Sequence, residues 1–87
     1  MNIVWHRSFK KHYKKRVLPY SNINSKFKKK VKIFVENSKN PILKDHQLMG
    51  NKKEFRSFWI TGGIRVTYKI KRDVIEFYDI GSHNQVY

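Results

Sequence analysis

Residues 64–71 alternate without interruption, with Ile64, Val66, Tyr68 and Ile70 set against Arg65, Thr67, Lys69 and Lys71. A strand sends successive side chains to opposite faces, so this run predicts one strand with a buried face and a basic face. The pair Gly62-Gly63 just before it is of the kind that hairpin turns favour, and Lys71-Arg72-Asp73 predicts the next turn, into a last strand over Val74 to Ile80. Upstream, Phe55, Phe58 and Trp59 suggest a strand within Glu54 to Thr61, although strict alternation is absent there. Residues 2–6, Asn-Ile-Val-Trp-His, are rich in β-formers and read as a short first strand.

Between the first strand and the others the period changes. Ser8 is a candidate N-cap, and Phe9, Tyr13 and Val17 recur every four residues on one helical face until Pro19 stops the helix. A second helix is expected from about Asn22 or Asn24 to Asn37, with Ile23, Phe27, Val31, Phe34 and Val35 as its apolar stripe and lysines around the rest. Asn40-Pro41 marks a turn that leads through Asp45-His46 toward the sheet. The order is βααβββ: an α+β fold, an antiparallel sheet with two helices packed on one face. At 87 residues the chain forms one domain, 1–87, because two cores would each be too small to offset the entropy of ordering them.

Charge is the strongest compositional signal. Twenty Lys and Arg against six Asp and Glu give +14, above the magnitude of about 2–8 that suits a small soluble domain. Such a field attracts polyanions, and nucleic acid is the expected partner. The apolar faces of the helices are needed for the core, which argues against a membrane surface. There is no apolar run for a signal peptide or a membrane span, and no cysteine. A soluble cytoplasmic protein in a reducing compartment is the expectation.

The sequence excludes several chemistries. It has no Cys or His cluster with metal-ligand spacing, no nucleophile elbow and no P-loop, and its carboxylates are scattered. Basic groups and histidines remain. Arg65, on the polar side of a strand, suits a preorganised phosphate donor, or is simply a solvated strand arginine. His83 follows Gly81 past the last strand and His46 precedes the sheet beside Asp45; either could move a proton near neutral pH, or be an incidental loop histidine. Tyr87 could stack on a base. This set suits RNA cleavage without metal or other cofactor. One group takes the proton of a 2′-OH, a cation stabilises the phosphorane, and an acid protonates the departing 5′ oxygen.

Four segments in order, Asp45-His46-Gln47-Leu48-Met49-Gly50, Arg56-Ser57-Phe58-Trp59-Ile60, Arg65-Val66-Thr67-Tyr68 and Tyr78 to Tyr87, resemble the RelE/YafQ-type mRNA interferases of the RelE/ParE toxin superfamily. The resemblance spans nearly the whole chain. It implies a type II toxin–antitoxin toxin that cuts mRNA in the ribosomal decoding site and is neutralised by an acidic cognate antitoxin. By position, it implies His46 as general base, Arg65 as transition-state stabiliser, His83 as general acid and Tyr87 as a substrate contact. Lys52 and Lys53 are only rough counterparts of the lysines of RelE, and with Arg56 they are candidate RNA contacts. A further histidine and aspartate of the YafQ branch are missing, with Trp59 and Gly63 near their places, so acid and base could be exchanged. Two other readings are a ParE-like toxin that inhibits a protein such as gyrase without catalysis, and a general RNA-binding module.

Overall fold

The computed structural model describes residues 2–87. Strand β1 (Asn2–Trp5) is followed by helices α1 (Arg7–Arg16) and α2 (Ser21–Glu36), the short strand β2 (His46–Gln47), and the meander β3 (Arg56–Trp59), β4 (Arg65–Lys71) and β5 (Val74–Gly81). A last single turn of helix, α3, covers His83–Val86. The five strands lie in the order β1-β5-β4-β3-β2. The α+β class and the two helices on one face are as the sequence predicts. The sheet differs from the expected antiparallel one in two respects. β1 runs parallel to β5, an arrangement open to it because the intervening helices supply the crossover that a parallel pair needs. His46-Gln47, expected in a loop, forms a fifth strand on the outer edge of β3.

The core between helices and sheet is aromatic. Phe34 stacks on Phe58 with centroids 4.5 Å apart and meets Tyr68 edge-on at 5.0 Å, while Phe9 contacts Trp5 at 4.8 Å and Phe77 at 5.4 Å. Such offset and edge-on pairs add about 0.5–1.5 kcal/mol each beyond area burial. Tyr13 joins the two helices, donating from its hydroxyl to Asn24 Oδ1 at 2.5 Å. The N-cap of α1 lies two residues before the expected one, because His6 Nδ1 accepts from Ser8 N at 3.1 Å and takes that role. α2 begins at Ser21, slightly earlier than its asparagines suggest.

Two apolar residues expected in the core are exposed. Val35, placed on the α2 stripe, is 64% accessible, and Ile70, the last member of the β4 alternation, is 53% accessible. Ile33 packs on the core from α2 instead. Ile70 shares a groove with Ile3, Phe34, Val35 and Ile75 at the C-terminal end of α2.

The turn between β3 and β4 also has a different cause from the expected one. Neither Gly62 nor Gly63 has positive φ; Thr61 Oγ1 closes the turn by accepting from Gly63 N at 3.1 Å and Ile64 N at 3.0 Å. Later in the meander the β4–β5 register shifts, with Thr67 opposite Asp79 and Tyr68 opposite Phe77, so that Tyr78 has no counterpart. Asp79 is tied to α1: its Oδ1 lies 2.5 Å from His12 Nδ1, and Arg16 Nη1 donates to the Ile80 carbonyl at 2.9 Å. His12 therefore anchors helix to sheet.

Candidate active site

The side of the sheet away from α1 and α2 is organised by register. His46, Ser57 and Thr67 are cross-strand partners in one row, and Trp59 and Arg65 are partners in the next. Cross-strand partners share a face, so His46, Ser57, Thr67, Trp59 and Arg65 all project to the front. Gly81 pairs with Arg65 and ends the second row. From there the chain turns through Ser82 into α3, which folds over the front of β4. Gly81 permits that path: a Cβ there would lie 2.5 Å from Gln85 Oε1 and 2.7 Å from Arg16 Nη1. Ser82 and Gln85 form a reciprocal capping box, with Ser82 N donating to Gln85 Oε1 at 2.7 Å.

Tyr87 occupies the centre of the arrangement. Its hydroxyl donates to Ser57 Oγ at 2.5 Å, and Lys52 Nζ donates to the main-chain oxygens of Tyr87 at 2.7 Å and Val86 at 3.4 Å. Val86 is buried at the edge of a hollow lined by Leu48, Phe55, Thr67 and Tyr78, so the tail has a small apolar anchorage of its own. Three groups surround the phenol ring. His83 meets it edge-on with centroids 4.4 Å apart, His46 does so at 6.3 Å, and the Arg65 guanidinium carbon lies 5.8 Å from its centroid. His83, His46, Arg65 and Tyr87, dispersed over 42 residues of sequence, are thus gathered on one face.

The local chemistry of each group can be read from its partners. His46 Nδ1 lies 2.9 Å from the Lys44 carbonyl; a carbonyl only accepts, so Nδ1 carries the hydrogen and the neutral ring has its lone pair on Nε2. Asp45, adjacent in sequence, does not orient His46. It is directed away, bonded to Arg56 Nε at 2.9 Å and to the Tyr68 hydroxyl. Burial, reinforced by that bond to Asp45, pushes the Tyr68 phenol well above its ordinary value. Arg56 is accordingly not brought to the front. Its cross-strand partner is Tyr68, on the core side, and its guanidinium is held in the Asp45 network. Lys52 is beside the tail, whereas Lys53 is exposed at the edge, with its main chain engaged: its carbonyl accepts from Gln47 Nε2 at 2.6 Å and its N–H donates to the Gly50 carbonyl at 3.3 Å.

Three front-face residues were not singled out from sequence as site groups. Ser57 is fully buried yet polar. Trp59 lies under the Arg65 guanidinium, 4.6 Å from ring centroid to Cζ, and 5.3 Å from Lys44 Nζ. Lys69 lies over both Phe55 and Tyr78, at 5.3 and 5.6 Å. The signal for Ser57 and Trp59 is register: given β3 paired to β4, residues 57 and 59 must share the face of Arg65 and Thr67, where the alternation of β4 already puts Lys69.

Comparison with solved structures first defines the class. A YafQ mutant from Escherichia coli superposes with a TM-score of 0.81 at 20% identity, covering 99% of this chain and 97% of that one. A metal-bound toxin from Helicobacter pylori gives 0.78 at 25% identity, over 100% and 99%. A YoeB/ParE toxin from Agrobacterium tumefaciens gives 0.80 at 19%, over 95% and 99%. The fold is that of the small toxins of this superfamily. No curated protein matches the chain. The family described as bacterial toxin of type II toxin–antitoxin system, YafQ, matches residues 1–87, and the chain belongs to that family.

Proposed function

We propose that this toxin is a ribosome-dependent endoribonuclease that cuts mRNA in the decoding site and so stops translation in the cytoplasm. The observation that carries this reading is the convergence of His46, His83 and Arg65 around Tyr87 on one face, 4.4–6.3 Å from its ring. In the proposed reaction His46 Nε2, whose lone pair is free when Nδ1 is bonded to Lys44, takes the proton of the 2′-OH. The 2′ oxygen attacks the adjacent phosphorus, Arg65 stabilises the charge on the phosphorane, and His83 gives a proton to the departing 5′ oxygen. The products are a 2′,3′-cyclic phosphate and a 5′-OH, with no metal or cofactor in the scheme. Tyr87 offers its ring to a base, and Lys52 and Lys53 attract the flanking phosphates. Arg56 has no part in this scheme, since Asp45 holds it on the core side.

The test is expression of the chain, followed by mapping of 5′ ends on translated mRNA, with ribosome-free RNA as control. His83→Ala and Arg65→Ala are each expected to slow cleavage by about 10²–10³ while the thermal melt is unchanged. Growth arrest with intact mRNA would refute cleavage in favour of a protein target, and salt-dependent RNA binding without new 5′ ends would reduce the chain to a binder. For the partner, a solved DinJ–YafQ complex from Escherichia coli has the same toxin fold at 22% identity and a TM-score of 0.79. We expect an acidic antitoxin with a flexible segment that folds over the basic front or adds to a sheet edge. Complementary charge favours this, given +14 on the toxin. A co-purified partner touching neither surface would refute it.

A further inference from the structure

Arg65 is oriented without any carboxylate. Among the described residues it enters no ion pair, and its single hydrogen bond is a long one, from Nη2 to the Gly62 carbonyl at 3.4 Å. Its Nε is buried and has no acceptor. The guanidinium lies instead over aromatic rings, its Cζ 4.6 Å from the Trp59 centroid and 5.8 Å from that of Tyr87. We propose that Trp59 is a positioning residue for Arg65, its indole holding the guanidinium by cation–π stacking so that the fork of N–H donors keeps its full charge for a phosphate. The proposal rests on the functional reading above, in which Arg65 meets the scissile phosphate.

Three physical points support it. An arginine paired with a carboxylate is neutralised and has its donors occupied, whereas one stacked on an indole keeps both charge and donors. Trp59 is the direct cross-strand partner of Arg65, so the ring is fixed by the sheet and not by a loop. The buried, unpartnered Nε would ordinarily drive the side chain toward solvent. A clamp of rings accounts for its retention there. Tyr87 alone is a weaker clamp, being more distant and delivered by the tail.

The experiment pairs Trp59→Leu with the conservative Trp59→Phe, in single-turnover cleavage on programmed ribosomes and in NMR of the arginine Nε–Hε groups. In the wild type the Arg65 Hε is expected to be displaced by the indole ring current and slow to exchange with water. Trp59→Leu should abolish both features and lower the cleavage rate by about 10²-fold, the order produced by a misplacement of about 1 Å, with ribosome affinity unchanged. Trp59→Phe should restore most of the rate, and Trp59→Leu combined with Arg65→Ala should be no slower than Arg65→Ala alone. An unaltered Arg65 Hε in Trp59→Leu, an effect on affinity alone, or a double variant slower than Arg65→Ala would each overturn the proposal. If Trp59→Leu does not fold, the Phe variant and the wild-type Hε exchange rate decide it, fast exchange in the wild type refuting the clamp. If the wild type does not cleave, the functional reading fails while the NMR measurements still judge the stack.

Discussion

Ser57 and Tyr87 should respond unequally to the loss of the bond they share. Ser57 is fully buried, and its Oγ accepts from the Tyr87 hydroxyl at 2.5 Å, whereas Tyr87 keeps part of its surface in solvent. Deleting one partner of a hydrogen bond costs the desolvation of whichever group remains buried, and deleting both can be nearly neutral. In Tyr87→Phe the stranded group is the serine hydroxyl, inside the sheet, and the cost is about 1–3 kcal/mol. In Ser57→Ala the stranded group is the phenol hydroxyl, which can turn to water, and the cost is about 0.5–1.5 kcal/mol. The double variant should therefore be no less stable than Tyr87→Phe, leaving a coupling of about 1 kcal/mol. For a domain of this size each kcal/mol shifts Tm by roughly 4–8 °C, so Tyr87→Phe should melt lowest of the four proteins by a margin that circular dichroism resolves. Melts at one protein concentration and one salt concentration suffice. Additive effects, or a Ser57→Ala at least as destabilised as Tyr87→Phe, would refute the assignment of that bond as the anchor of the tail.

Two further predictions concern the supports of the site. Gly81→Ala should cost about 2 kcal/mol, because its Cβ displaces Gln85 from the capping box and Arg16 from the Ile80 carbonyl; a urea midpoint equal to wild type would contradict the close approach. Tyr68 sets a pH limit: its folded phenol is held well above the ordinary value near 10, first by burial and then by Asp45. Its contribution is whole below pH 10, where both states keep the proton, and is lost as pH rises above it, since the unfolded chain ionises first. Tyr68→Phe should be less stable at pH 7 but should lose less stability between pH 10 and pH 11.5 than wild type does; parallel pH profiles from urea titrations would refute this.

The repeating patterns were legible because each residue in them obeys one local rule. The period of two in Ile64–Lys71 defined β4 and placed Arg65 on the polar side, and the four-residue recurrence of Phe9, Tyr13 and Val17 defined the buried side of α1. What escaped the sequence depends on partners distant along the chain. Nothing near Ile70 or Val35 reveals the open groove they border at the end of α2, so their burial could not be judged. His46 resembled a loop histidine because a two-residue strand has no period to detect; only the edge of β3 makes it a strand. Arg56, a candidate RNA contact by sequence, had no face assigned because Glu54 to Thr61 lacks alternation; its pairing with Tyr68 supplies the face. His6 took the cap from Ser8 through a ring nitrogen, an acceptor that cap preferences do not anticipate.

Two of the six carboxylates are held by partners other than Arg65 and the two site histidines. Asp45 is spent on Arg56 and Tyr68 on the core side, and Asp79 on His12 and Arg16 of α1. Each of these acids adjoins a front-face group in sequence or register, Asp45 next to His46 and Asp79 opposite Thr67. Without those partners, either would have offered Arg65 or a protonated histidine a permanent partner in competition with phosphate. Asp45, just before β2, is held by Arg56 and Tyr68, and Asp79, next to the shift in register that leaves Tyr78 unpaired, is held by His12 and Arg16. The aromatic clamp on Arg65 is the complement of that arrangement: with Asp45 and Asp79 held by other partners, Arg65 is oriented by rings and not by a carboxylate.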